Sequence, residues 1–212
     1  DDVFMGCVSQ VGEQSSNVAR NAVLASKLPE SVPGTSIDRQ CGSSQQAIHF
    51  AAQAVMSGTM DMVIAAGVES MTRVPMGSPG ALAQKAGLGN YHSPAIASRF
   101  GEAMFSQFVG AEMVARKYGL DKEALDRFAL QSHQRAAAAS KAGWFEREIL
   151  PVAVRDASGA LTEDMHTVDE GIRFEATLDG IQNVKLLQEG GLITAANASQ
   201  TMASVSRAQV HR

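Results

Sequence analysis

The sequence predicts an α/β protein: a parallel sheet covered on both faces in the first third of the chain, followed by a mainly helical insertion. Three observations carry this reading. Apolar runs of strand length alternate with runs of helical spacing from residue 3 to residue 67. From Glu102 to Gly143 the spacing is helical without a strand-like run. Hydrophobic residues make up 45% of the 212, enough for a sizeable core, but aromatics only 5%, so that core leans on Ala, Val, Leu, Ile and ten Met.

The elements follow in order. "VFMGCVSQ" (3–10) reads as a buried strand. "SSNVARNAVLASKL" (15–28) has helical spacing, with Val18, Ala22, Ala25 and Leu28 on one face, Ser15 or Ser16 as cap, and Pro29 as stop. "GTSIDRQ" (34–40) reads as a second strand. "SSQQAIHFAAQAVMSG" (43–58) is an Ala-rich helix ended by Gly58. "MDMVIAAG" (60–67) is an apolar run of strand length. This alternation argues a parallel sheet with helices on both sides. Met76 to Tyr91 is rich in Gly, Pro and Ser and reads as loop. A helix through Met104, Phe108, Ala111, Val114 and Tyr118 ends at Gly119, and Asp121 caps a second that ends at Gly143. "EILPVAVRD" (148–156) is strand-like, with "ASGA" as its turn, and "LITAAN" (192–197) reads as the last strand. The expected division is an α/β core over 1–75, an insertion over 76–191, and a return strand with an unpatterned tail over 192–212. The missing initiator Met and the abrupt tail "QTMASVSRAQVHR" suggest a piece of a longer chain, with a frameshift near Gln200 as one source of that tail.

Composition sets bounds on partners. Eighteen basic against 22 acidic residues give a net charge of −4, which argues against nucleic acid or an anionic membrane as partner. No run of about 18 apolar residues is present to span a bilayer. Two cysteines, Cys7 and Cys41, are too few for a disulfide framework, so a reduced, cytoplasmic setting is expected.

"IDRQCGSSQQAIHFAAQ" (37–53) puts Cys41 where a strand turns into a helix. The first N–H groups of a helix lack internal partners and carry partial positive charge. That charge favours a thiolate, and the free N–H groups can hold a developing oxyanion. Gly42 and Ser43 leave room for a substrate. A nucleophile that carries a covalent intermediate fits this position; so, on pattern alone, does a small buried core residue.

A wider resemblance separates the two. "CGSSQQAIHFAAQAVMSGTMDMVIAAGVESMTRVPMG" (41–77) resembles the nucleophile region of the thiolases, with Gly67, Glu69, Ser70 and Met71 on that family's Gly-Gly-x-Glu-Ser-Met-Ser run. Residues 6–42, 126–152 and "GGLITAANAS" (190–199) are similar to further thiolase segments, in order. The resemblance implies a thiolase-like N-terminal domain: a mixed, five-stranded-type sheet, here incomplete, with a mainly helical loop domain. It implies an acyltransferase that cleaves 3-ketoacyl-CoA, or runs the reverse Claisen condensation, through an acyl thioester on Cys41. The Cys41 N–H would then help form the oxyanion hole. Coenzyme A would be a substrate, with no further cofactor and no metal. The full-length parent would be a homodimer or homotetramer.

Positions carried over from the family suggest CoA contacts at Arg173, Ala195, Ala198 and Ser199. Arg173 would lie along the adenine end, and the small residues would line the pantetheine arm. Read without the resemblance, Arg173 is a solvated surface residue. Ser106 and Gln107 fall where short-chain members carry His-Met, which suggests longer, branched or ring-bearing acyl groups. Phe108 could wall that acyl pocket, or simply pack. Ser44 and Ala196 stand where the family has glycines. Glu69 reads as structural, and His49 is two turns along the helix, too far to serve Cys41.

The family also uses a Gly-His-Pro histidine, an Asn-Glu-x-Phe asparagine and a late Cys-x-Gly-Gly-Gly-x-Gly cysteine. None occurs here: no histidine is followed by Pro, and Cys7 precedes the nucleophile. This chain alone is therefore expected to be inactive. The rival readings are a ketoacyl-synthase-like condensing enzyme, a non-catalytic CoA-binding or interaction subunit, and a cysteine hydrolase, which would need a His and an acid near Cys41.

Overall fold

A computed structural model describes residues 1–101, 105–199 and the backbone of 204–211. In chain order the elements are β1 (Asp2–Gly6), α1 (Val18–Ala25), β2 (Gly34–Ile37), α2 (Ser43–Met56), β3 (Met62–Glu69), α3 (Ser78–Lys85), α4 (Pro94–Phe100), α5 (Gln107–Lys117), α6 (Lys122–Lys141), β4 (Val152–Arg155), β5 (Leu161–His166), α7 (Leu178–Gln182) and β6 (Ser204–His211). The chain divides into two units, residues 1–102 with 201–212 and residues 103–200.

The first unit is a four-stranded sheet in the order β2-β1-β3-β6. β2, β1 and β3 are parallel, with Gly6 opposite both Ile37 and Gly67. β6 runs antiparallel to β3. Successive side chains of β1 point to opposite faces, and each face has its own helix. Val3 packs with Ala19 and Val23 of α1, joined by Met5, Val32 and Ile64. Phe4 packs on the other face against Ile37, Ala47, Ala51, Val55, Val63 and Ala65, which join α2 to the sheet. The sheet-facing helix positions are mostly Ala, so the helices approach closely without large side chains.

Several expectations are corrected here. The buried stripe of α1 is Ala19 and Val23, not Val18, Ala22, Ala25 and Leu28. The helix starts later than its spacing suggested. Ser16 and Asn17 both have positive φ, and Asn17, not a serine, caps it by accepting the Arg20 N–H. Residues 76–91, expected as loop, contain α3, which opens after Gly77 at φ 84° with Pro79 in its first turn. That helix buries none of its residues, so no apolar stripe marked it in the sequence.

The second unit contains α5 and α6, the β4–β5 hairpin and α7. Glu102 and Met104, read as the start of the first insertion helix, lie outside the described residues. Asp121 caps α6 as expected, accepting the Ala124 N–H at 2.8 Å. β5 and α7 were not anticipated in the polar stretch before Gly191. Residues 192–197, expected as a strand, form turns with a single bridge, Leu186 to Thr194. Asn197 Oδ1 accepts the Thr194 N–H and Thr194 Oγ1 accepts the Ala196 N–H, so side chains satisfy the backbone locally and compete with a ladder. The strand that does join the sheet is β6, in the tail read as unpatterned. Its register sets Val210 against Val63 and Ala208 against Ala65. An edge strand pairs on one side only, so it tolerates a mixed sequence.

Candidate active site

Cys41 lies on the turn that joins β2 to α2, beyond the carboxyl ends of three parallel strands. Open α/β sheets bind ligands on that edge. The turn is tightly specified. Asp38 Oδ1 accepts the Gln40 N–H at 2.8 Å, and Gln40 takes φ 49°, in the left-handed region. The Gly42 N–H returns to Arg39 O at 3.1 Å. Ser43, buried, accepts the Arg39 N–H at 2.9 Å through its hydroxyl and donates that hydroxyl to Gln40 O at 2.5 Å. A non-glycine held at positive φ by its neighbours stores strain, which collects at functional sites.

The result is an exposed cysteine at a helix start. No side chain caps the N-terminus of α2. Among the described residues no acceptor takes the Cys41 N–H. The helix is seated by two glycines. A Cβ at Gly6 would overlap the Ser44 backbone, and one at Gly67 would overlap the Ser44 side chain. Glu69 holds the other side of this edge. Its Oε1 accepts the Ser9 N–H at 2.9 Å, while Gln14 donates to Ser9 O and accepts the Ser70 N–H. Cys7 is the opposite of Cys41. It is 1% exposed, and burial, with the carboxylates of Glu69 and then Asp38, pushes its thiol up from the ordinary range.

The second unit has its own cleft, of about 640 Å³. His133, Ile172, Arg173, Phe174, Thr177 and Ile181 line it, with Ala195 and Ala196 from the turn after Gly191. The Arg173 N–H donates to His133 Nδ1 at 3.3 Å and its guanidinium donates to Glu170 O at 2.9 Å, which fixes Arg173 at the rim.

A family model described as the thiolase N-terminal domain matches residues 1–205. The chain belongs to the thiolase family. It is 45% identical over 205 residues to the steroid 3-ketoacyl-CoA thiolase FadA6 of Mycobacterium tuberculosis, covering 94% of this chain and 48% of that protein. It is 41% identical over 201 residues to a 3-ketoacyl-CoA thiolase of Erwinia tasmaniensis, covering 94% and 49%. It is also 41% identical over 207 residues to the 3-oxoadipyl-CoA/3-oxo-5,6-dehydrosuberyl-CoA thiolase of Escherichia coli, covering 94% and 51%. The chain spans about half the length of the curated relatives it matches.

In this thiolase-family chain the anticipated residues fall into separate groups. Arg173 and Ala195 come together in the cleft, while Ala198 and Ser199 follow on the same turn without lining it. Gln107 and Phe108 open α5, Gln107 exposed and Phe108 half-buried, and neither lines the cleft. Cys41 belongs to the first unit. Sequence reasoning missed His133, which sits mid-helix among polar neighbours with nothing to mark it. It also missed Asn197, whose run had been read as strand. No helix among the described residues is long and apolar enough to cross a membrane.

Proposed function

We propose that this chain carries the acyl-accepting nucleophile and the CoA cleft of a thiolase that cleaves 3-ketoacyl-CoA. The carrying observation is the exposed Cys41 on a strained strand-to-helix turn, its own N–H unclaimed among the described residues. The Cys41 thiolate attacks the 3-keto carbon, and the bond between C2 and C3 breaks. The electron pair leaves on C2 and takes a proton, giving acetyl-CoA, while the acyl group remains as a thioester on Sγ. A second CoA thiol, losing its proton, attacks that thioester and Cys41 leaves as thiolate. The Cys41 N–H donates to the oxyanion formed at the attacked carbon. The family's second-half histidine and cysteine handle the protons, and condensation is the same path reversed.

The cleft lined by Arg173 and Ala195 holds CoA, Arg173 towards the nucleotide and the turn through Ala195, Ala198 and Ser199 towards the pantetheine arm. A planar guanidinium suits both base stacking and phosphate, and small residues let a narrow arm pass. Residues 76–191 act as the CoA-binding loop domain. Gln107 and Phe108 shape the acyl side. The departure of Ser106 and Gln107 from the short-chain pattern, with a relative named for steroid 3-ketoacyl-CoA, supports a bulky or ring-bearing acyl group. The working parent is a cytoplasmic homodimer or homotetramer.

The test is acyl capture. The 212-residue chain is incubated with acetyl-CoA at pH 8, quenched in acid and mapped by mass spectrometry. An acetyl group on the peptide bearing Cys41, absent in Cys41→Ser, is the expected result. A label on Cys7, or none on Cys41, overturns the assignment.

A further inference from the structure

The turn that supplies Ala195 and Ala196 to the cleft has no regular secondary structure, yet polar side chains hold it in place. Asp126, in the first turns of α6, is fully buried. One carboxylate oxygen takes the Lys122 ammonium at 2.5 Å, and the other accepts from Asn197 Nδ2 at 3.0 Å. The same Asn197 amide donates to Leu192 O at 3.3 Å, and its Oδ1 accepts the Thr194 N–H at 2.8 Å. Lys122 also donates to Gln182 O at 3.0 Å, at the end of α7. One connected network therefore reaches both walls of the cleft: the turn with Ala195 and Ala196, and the helix with Ile181. Glu112 of α5 anchors the entry to the turn, its Oε1 accepting the N–H groups of Leu192 and Ile193 at 2.6 and 2.9 Å.

A buried carboxylate needs its partners. Removing one leaves a charge with incomplete compensation, and the remaining groups rearrange to recover hydrogen bonds. The flexible part here is the turn, because α6 keeps its own backbone bonds.

We propose that Asn197 is a positioning residue for coenzyme A: tied to Asp126, it sets the turn that lines the pantetheine side of the cleft. This rests on the reading of the cleft as the CoA site. It predicts a split between the two parts of the ligand. Asn197→Ala weakens CoA on the order of tenfold, the scale of one lost set of buried hydrogen bonds. It leaves adenosine 3′,5′-bisphosphate, which lacks the pantetheine arm, binding as before at Arg173.

Calorimetry on the 212-residue chain tests this with both probes. CoA affinity reduced and bisphosphate affinity retained is the expected pattern. Equal loss of both means Asn197 only supports the fold, and unchanged binding of both means the turn does not need it; either overturns the proposal. No binding of CoA by the unsubstituted chain removes the cleft assignment itself, and the positioning role with it. Amide exchange in the unsubstituted chain gives a check that needs no variant. Residues 192–197 should exchange as slowly as the neighbouring turns of α6, and exchange within seconds would overturn the claim.

Discussion

Two cysteines in one small protein meet opposite physics. Cys41 stands exposed at the head of a helix, whereas Cys7 lies under the sheet edge with two carboxylates for neighbours. A thiol whose folded pKa is raised keeps its proton more tightly than in the unfolded chain. Its contribution to stability is intact below its ordinary value of 9.0 and is lost as pH rises through the higher folded value. Iodoacetamide at pH 8 is therefore expected to alkylate Cys41 within minutes and to leave Cys7 until denaturant is added. Peptide mapping reads both sites, and early labelling of Cys7 would contradict its burial. The place of Cys41 on a strand-to-helix turn was legible in the sequence. The left-handed Gln40 was not, because nothing in its side chain announces positive φ; the bonds of Asp38 and Ser43 impose it.

At the scale of elements, the site depends on how closely α2 approaches the ends of β1 and β3. The family pattern has glycine where Ser44 stands, and here the Ser44 side chain fills the space above Gly67. Gly67→Ala should destabilise the protein by about 1–3 kcal/mol through overpacking. Adding Ser44→Gly should restore part of that, because the atoms met are those of the serine side chain. Urea unfolding of both single variants and the double variant completes the cycle, and strict additivity would show that the two positions do not touch. Alternating strands and helices were readable up to residue 67, since β1 and β3 are short apolar runs. α1 was read with the wrong stripe because its phase is set by two left-handed residues, Ser16 and Asn17, ahead of the first turn. Residues 192–197 misled for a related reason: Thr194 and Asn197 look compatible with a strand until their side chains are seen bonding the local backbone.

Across the whole molecule, Cys41 and the cleft belong to different units of the chain, and the family's proton-handling histidine and second cysteine are not among its residues. The chain is accordingly expected to take up an acyl group without turnover. Loss of acetoacetyl-CoA followed over many equivalents should stop at or below one per chain, and sustained thiolysis would refute this. The sequence by itself determined the α/β class, the family and the place of Cys41, because strand and helix periods and a strand-to-helix turn are local properties of a chain. Only the tertiary structure decided that β6 closes the sheet edge, that Arg173 shares a cleft with Ala195, and that Asp126 and Asn197 meet across 71 residues of sequence. Those facts depend on long-range pairing of edges and buried polar groups, which satisfy one another only after the chain has folded.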